Sequence, residues 1–304
     1  KNTFYTQSFH GIDWDSYKPD YEKHLPGIGN NYEMSELLSE LLGELNVSHS
    51  GAAYGGANNP TADATAALGI FYDVNFKGNG IKILEVIKDG PLSKAGMNVK
   101  AGMIIESIDG EIISPDKDIA QYLNRKAGQN TLLTVVDGNT KMEITVKPIS
   151  TGEENGLLYR RWVKKNQEEV DRLSNETLGY VHIPGMSDGP YRTTYEEMMG
   201  KYHDRKGVIV DTRFNGGGDL VADLAMFFTG ERFITYATED REVGYEPTFR
   251  WTKPTLAMFN ESNYSDGHCF ACGYTDLKIG KTVGMPTPGT CSFAGWEMLP
   301  DGGR

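Results

Sequence analysis

Thr255-Leu256-Ala257-Met258-Phe259, followed by Asn260-Glu261-Ser262-Asn263-Tyr264-Ser265-Asp266-Gly267, sets the reading of this chain. Five residues of apolar character and strand length end in a polar tract that carries a serine into a Ser-Asp-Gly turn. A helix is expected to follow at 267–277. A buried strand turning into a helix is the basic joint of an α/β sheet. The serine is the residue of interest. A hydroxyl is a poor nucleophile until a base removes its proton, and histidine is the usual base near neutral pH.

Upstream, Gly207-Val208-Ile209-Val210-Asp211 is a continuous apolar run suited to the inside of a parallel sheet. Asn215-Gly216-Gly217-Gly218 then turns the chain, and its backbone N–H groups are candidates to face a developing oxyanion. Further strands are expected at 178–184 and 282–284, and helices at 191–203 and 219–229. The candidate base lies far away in sequence, in Asn46-Val47-Ser48-His49-Ser50. It follows a helix expected at 32–43, where Met34, Leu37, Leu38, Leu41 and Leu42 recur at helical spacing and Gly43 ends the run. Residues 1–66 read as mostly helical, closing in a loop of Gly, Ala and Asn through Pro60.

Between base and nucleophile, residues 67–150 form a separate β-rich unit. Its strands are expected around 67–72, 81–87, 100–111, 131–136 and 142–147, with a short helix at 90–97 and another at 118–125. Residues 151–155 read as a linker, and 160–173 as a strand end or short helix. No internal repeat or low-complexity tract is visible.

The bulk properties narrow the function classes. The chain has 304 residues, 38 % hydrophobic and 24 % charged, with a formal net charge of −12. That balance disfavours nucleic acid, whose phosphates need a basic face. No apolar run approaches the ~18 residues of a membrane span. The chain opens Lys1-Asn2-Thr3 without an initiator Met and is expected to be a processed product or part of a longer protein. Its three cysteines, Cys269, Cys272 and Cys291, do not describe a disulfide framework. Cys269 and Cys272 form a CxxC. It reads either as two packed thiols on one helical turn or as a redox or metal pair, and a zinc site would lack ligands, with only His268 nearby.

These motifs, in this order, resemble a known family. Ser48-His49, the β-rich unit, a strand ending in Asp-x-Arg-x-Asn-Gly-Gly-Gly, and Asn-Glu-x-x-x-Ser-Asp-Gly look like the catalytic part of tricorn-type peptidases. These stand with the C-terminal processing peptidases in family S41. The opening Phe9-His10-Gly11-Ile12-Asp13-Trp14 also fits. The middle unit resembles a PDZ domain in Leu68-Gly69-Ile70-Phe71, Gly90-Pro91 to Gly96, Gly102 and Ile108-Asp109-Gly110.

The resemblance implies a multi-domain α/β (α+β) protein. A helical N-terminal part of the core spans 1–66, an inserted PDZ-like domain 67–150, and an α/β peptidase core of ClpP/crotonase-like character 151–304. It implies Ser265 as nucleophile, His49 as general base and Ser48 as the residue orienting His49. It implies an oxyanion hole of the Gly217 and Asp266 N–H groups, and a carboxylate-binding loop of Leu68, Gly69, Ile70 and Phe71. Substrates would be peptides or unfolded polypeptide segments, with no metal or organic cofactor, no nucleic acid and no membrane span. The family tends to form homo-oligomers, and its members occur in bacterial envelopes and archaeal cytoplasm, so the compartment stays open.

The family also has an acidic residue downstream of the nucleophile, expected past Arg304. Glu297 and Asp301 are candidates within the chain, and the acid is left unassigned. Rival bases are His10, His24, His182, His203 and His268, the last expected to point away on its helix. Ser50 reads as a turn residue, and Ser292 is a rival serine in a loop expected to line the site. Two other functions compete: a PDZ-containing peptide adaptor with an inactive peptidase core, and a thiol-redox protein built on Cys269 and Cys272.

Overall fold

The structure, a computed structural model, describes residues 4–55 and 63–304. The opening Lys1-Asn2-Thr3 and part of the expected loop through Pro60 lie outside them. The chain divides into two compact units, residues 1–58 with 173–304, and residues 59–172.

The N-terminal part of the first unit holds α1 (Lys18–Glu22) and α2 (Asn31–Gly43) with short 3-10 turns around them. The α2 start is written in its sequence. The Asn30 side chain accepts the Glu33 N–H at 2.9 Å, and the Glu33 carboxylate accepts the Gly29 N–H at 2.7 Å. One of the N–H groups that a helix start leaves unpaired is thereby satisfied, and the residue before the N-cap is tied to the first turn.

The second unit is a β-sheet domain with β1 (Ala66–Ala67), β2 (Ile70–Tyr72), β3 (Ile81–Val86), β4 (Ile104–Ile108) and β5 (Glu111–Ile112). A one-turn helix α3 (Ala120–Leu123) precedes β6 (Thr131–Asp137), β7 (Thr140–Val146) and β8 (Ile149–Ser150). The sheet runs β2-β3-β4-β6-β7, antiparallel throughout, with β5 on β4, and β1 pairs with β8. Its core is the inward set Ile83, Ile105, Leu133 and Val135, each fully buried. Alternation along β6, with Thr131, Leu133 and Val135 in, is the period-2 signature of a sheet with one wet face. The expected helix at 90–97 is a single 3-10 turn, Pro91–Ser93.

Residues 151–155 are not a linker. They open α4 (Thr151–Ser174), which also replaces the expected strand end at 160–173. Ser150 and Glu153 form a reciprocal capping box: the Ser150 N–H and Oγ donate to the Glu153 carboxylate at 2.8 Å, and the Glu153 N–H donates to Ser150 Oγ at 3.2 Å. Gly152 and Gly156 lie inside the helix, where two glycines cost only about 2 kcal/mol of helix propensity. Only Leu157 of this helix is buried, so the apolar periodicity that usually reveals a helix is faint.

The rest of the first unit is β9 (Leu178–His182), α5 (Asp188–Glu196) continued by a π-turn at Glu197–Lys201, β10 (Gly207–Asp211) and α6 (Val221–Thr229). The hairpin β11 (Ile234–Ala237) and β12 (Glu242–Glu246) follows, then β13 (Thr255–Phe259), α7 (Asp266–Asp276) and β14 (Lys281–Gly284). The order β14-β13-β10-β9 is parallel at every pairing. The core joins Val208 and Val210 of β10 to Leu224 and Phe227 of α6 and Phe270 and Tyr274 of α7. Each large side chain buried this way contributes about 1.5–3 kcal/mol. An α/β unit and an antiparallel β domain make up the expected multi-domain fold. Among the described residues no helix is long and apolar enough to cross a membrane.

Candidate active site

The turns after β10 and β13 leave the carboxyl ends of adjacent parallel strands, where α/β sheets place their ligands. Ser265 is the N-cap of α7, held at φ 50 and ψ −125. A side chain in the left-handed region costs about 1–3 kcal/mol and persists only where neighbours enforce it. The fully buried Asn263 is one enforcer. It accepts the Asn260 N–H at 2.8 Å and donates through Nδ2 to the Thr212 carbonyl at 2.9 Å, tying this turn to the one after β10. Gly267 is required because a Cβ would lie 2.8 Å from the Asn215 carbonyl oxygen. The Ser265 N–H donates to Thr290 Oγ1 at 3.0 Å.

The Asp-x-Arg stretch builds the second turn. Asp211 is fully buried and takes Arg213 Nε at 2.9 Å and Nη2 at 2.6 Å, with the Tyr180 hydroxyl at 2.6 Å. Burial and the Asp211 carboxylate push the Tyr180 phenol far above its ordinary value, so it stays a donor. Asn215, also fully buried, donates to the Ile183 carbonyl at 2.9 Å and accepts the Gly217 N–H at 2.8 Å. The Gly217 N–H of the expected oxyanion hole thus has a partner in the Asn215 side chain. What Gly217 does is let the chain pass against Ser265: at φ +94, a Cβ there would be 2.5 Å from Ser265 Cβ. Gly218, at φ +145, lies against the Met186 carbonyl in the same way.

His49, at φ 62, follows α2. Its ring stacks on Tyr264 with centroids 4.6 Å apart, and its N–H donates to the Tyr264 hydroxyl at 3.0 Å. The structure thus brings His49 onto the residue before Ser265. His49 Nδ1 is 2.9 Å from Ser48 Oγ and 3.0 Å from Ser292 Oγ, and the two hydroxyls are 2.9 Å apart. His49 Nε2 is buried and has no hydrogen-bond partner among the described residues, so the Ser265–His49 bond expected of nucleophile and base is not closed here. A cavity of about 580 Å³ opens beside the histidine, lined by Ser48, His49, Ser292, Trp296 and Glu297.

Asp266 points its N–H from the first position of α7, where helix geometry leaves donors without intrahelical acceptors. Its carboxylate accepts the N–H groups of Leu220 at 2.6 Å and Val221 at 3.2 Å, capping α6. Burial raises this carboxyl above the ordinary value, while the two N–H groups pull the other way.

Comparison with known proteins gives the family. Residues 1–43 match the tricorn protease C1 domain, residues 82–151 the tricorn protease PDZ domain, and residues 177–304 peptidase family S41. The chain is 31 % identical over 296 residues to the tricorn protease homolog of Saccharolobus solfataricus, covering 91 % of this chain and 26 % of that protein. It is 27 % identical over 304 residues to tricorn protease homolog 1 of Streptomyces coelicolor, covering 95 % of this chain and 28 % of that protein. The crystal structure of the tricorn protease shares the fold at a TM-score of 0.78 and 24 % identity, over 95 % of this chain and 29 % of that one. This chain belongs to the tricorn-type serine peptidases of family S41.

In this tricorn-type chain four of the five rival histidines have other partners. His182 is buried and bonds the Arg213 carbonyl through Nε2 at 2.9 Å, and burial pushes its imidazole below the ordinary value. His268 Nδ1 meets Thr287 Oγ1 at 2.6 Å, His10 meets the Tyr5 hydroxyl at 2.6 Å, and His203 faces Asp204. Ser50 closes a turn onto the Val47 carbonyl. Asp301 accepts the nearby Gly303 N–H. Among the described residues no carboxylate is bonded to Ser48, His49 or Ser292, and no group of three or more His, Cys, Asp or Glu is placed to hold a metal.

One expectation changes. The cysteine pair is Cys269–Cys291, leaving Cys272 free and exposed, so the CxxC is neither a bonded pair nor two packed thiols. On a helix, residues three apart share a face but their Sγ atoms need not converge. The loop 285–293 instead returns to α7 and presents Cys291 to Cys269. In the PDZ domain, burial raises the Glu154 carboxyl of α4 above its ordinary value, while the Gly69 backbone of the expected carboxylate loop pulls it the other way. Arg161 lies over the Phe71 ring at 5.0 Å while holding Glu85 with two bonds of 2.6 Å.

Proposed function

We propose that the chain carries the active centre of a serine peptidase that cleaves peptides or unfolded polypeptide segments. Ser265 Oγ attacks the scissile carbonyl while its proton passes to His49 Nε2. The imidazolium returns that proton to the leaving amine, and water resolves the ester by the same route in reverse. The Asp266 N–H at the start of α7 is one donor to the oxyanion, aided by the positive end of the helix. Gly217 keeps a bare backbone beside the reacting serine, and the Asn215 side chain fixes that peptide's orientation. The spans of 26 % and 28 % on the relatives mean that the parent protein's substrates and assembly belong to this proposal too.

The observation that carries the reading is the state of His49. Nδ1 is held by two hydroxyls, the ring is stacked against the residue before Ser265, and Nε2 is buried with no hydrogen-bond partner among the described residues. The test is labelling with a fluorophosphonate probe, comparing the chain with Ser265→Ala and His49→Ala. Labelling on Ser265 that both substitutions abolish supports the reading. A chain that binds peptides but never labels would instead be the inactive adaptor.

A further inference from the structure

We infer that Ser292 is a positioning residue for His49, the tie that fixes the imidazole relative to the nucleophile helix. The inference rests on the proposed role of His49 as base.

For Nε2 to take a proton it must be bare, so the single proton of the neutral ring sits on Nδ1. That N–H has two acceptors at nearly equal distance, Ser48 Oγ at 2.9 Å and Ser292 Oγ at 3.0 Å. The third edge of the triangle, 2.9 Å between the hydroxyls, uses one O–H. The other hydroxyl proton has no place inside the triangle and is free to face the cavity that Glu297 also lines. When Ser265 gives its proton to Nε2, the ring becomes a cation, and both oxygens then accept a charge-assisted bond from Nδ1–H.

The two serines are not equivalent. Ser48 is the preceding residue on the same loop and moves with His49, so its bond cannot register the histidine against anything else. Ser292 arrives from 243 residues away, on a strap anchored at two further points. Cys291 is disulfide-bonded to Cys269 of α7, and Thr290 Oγ1 accepts the N–H of Ser265 itself. Three successive residues thus connect base, nucleophile helix and nucleophile backbone.

The experiment compares wild type, Ser292→Ala and Ser292→Thr by the rate of fluorophosphonate labelling, by kcat and KM on a fluorogenic peptide, and by thermal unfolding. The bond from Nδ1–H to Ser292 strengthens as the ring becomes a cation in the transition state. Ser292→Ala is therefore expected to lower kcat and the labelling rate about tenfold to hundredfold. KM should stay within about twofold, and Ser292→Thr, which keeps the hydroxyl, should restore most of the loss. Unchanged rates in Ser292→Ala would overturn the inference. So would equal losses in both variants with a lowered Tm, which would make Ser292 a packing residue. A wild type that fails to label on Ser265 would remove the underlying reading as well, and is distinguishable because it shows before any variant is made.

Discussion

Gly217 lies so close to Ser265 that a Cβ on it would stand 2.5 Å from the serine Cβ and 2.8 Å from the Tyr264 carbonyl oxygen. The backbone there is at φ +94, which L side chains rarely adopt. Gly217→Ala must therefore push the Ser265 turn away. We predict a stability loss of about 1–3 kcal/mol in urea unfolding. We also predict a fall in labelling rate of about hundredfold, because displacing a nucleophile by roughly an ångström has that effect. A variant that labels as wild type does would show that the turn has slack.

Asp211 and Arg213 are a buried ion pair with one end at the surface: the aspartate side chain is fully buried and that of the arginine is 29 % exposed. Removing the cation leaves a carboxylate in the sheet interior beside a phenol that stays protonated. Arg213→Met is expected to cost about 3 kcal/mol, the low end for a broken buried pair. Adding Asp211→Asn should return part of it, since the remaining charge is then gone. Urea midpoints of the two variants decide the matter, and an additive double variant would refute the coupling.

His182 makes stability depend on pH. Its folded pKa lies below the ordinary value of 6.5, chiefly because burial disfavours the cation. Above 6.5 both folded and unfolded states hold it neutral, and its contribution is fully present. As pH falls below 6.5 the unfolded chain takes up the proton first, and stability drops until the folded pKa is passed. His182→Gln, which keeps a donor for the Arg213 carbonyl, should flatten the curve between pH 6.5 and acid conditions. Stability profiles of equal slope in both proteins would exclude His182 as the source.

Much of this was legible before any coordinates. The strand-turn-helix joint at 255–267, the apolar strand Gly207–Asp211 and the helix after Asn30 announce themselves through apolar runs, glycines and caps, which are local signals. Helix α4 was missed because its one buried residue, Leu157, gives no stripe, although Ser150 and Glu153 spell a capping box. The pairing of Cys269 with Cys291, the contact of Ser292 with His49 and the capture of the Gly217 N–H by Asn215 were not legible. Each depends on where a loop returns, and nothing local in the chain encodes that.

Glu154 predicts the behaviour of the PDZ loop. Burial raises its carboxyl while the Gly69 backbone lowers it, which puts it close to the loop proposed to take a peptide's terminal carboxylate. In the intact chain, Glu154→Ala should tighten binding of a peptide with a free C-terminal carboxylate by about tenfold, the effect of one hydrogen bond to a charged acceptor. An amidated peptide should gain nothing. Calorimetric titration of both peptides would expose the idea as wrong if neither binds either protein.

The Cys269–Cys291 bond closes a separation of 22 residues across the end of β14 and the strap that holds Thr290 and Ser292. Cross-linking a loop of that size is worth about 3 kcal/mol through the unfolded chain. Under non-reducing denaturation, alkylation should find one thiol, Cys272; after reduction it should find all three cysteines. Reduction without denaturant should release the strap from α7, leaving Ser265 in place but His49 without its distant anchor. The labelling rate should then fall toward that of Ser292→Ala. Cys291→Ser should label slowly with or without reductant. If reduction changes the thiol count but not the labelling rate, the strap keeps its position through Thr290 alone.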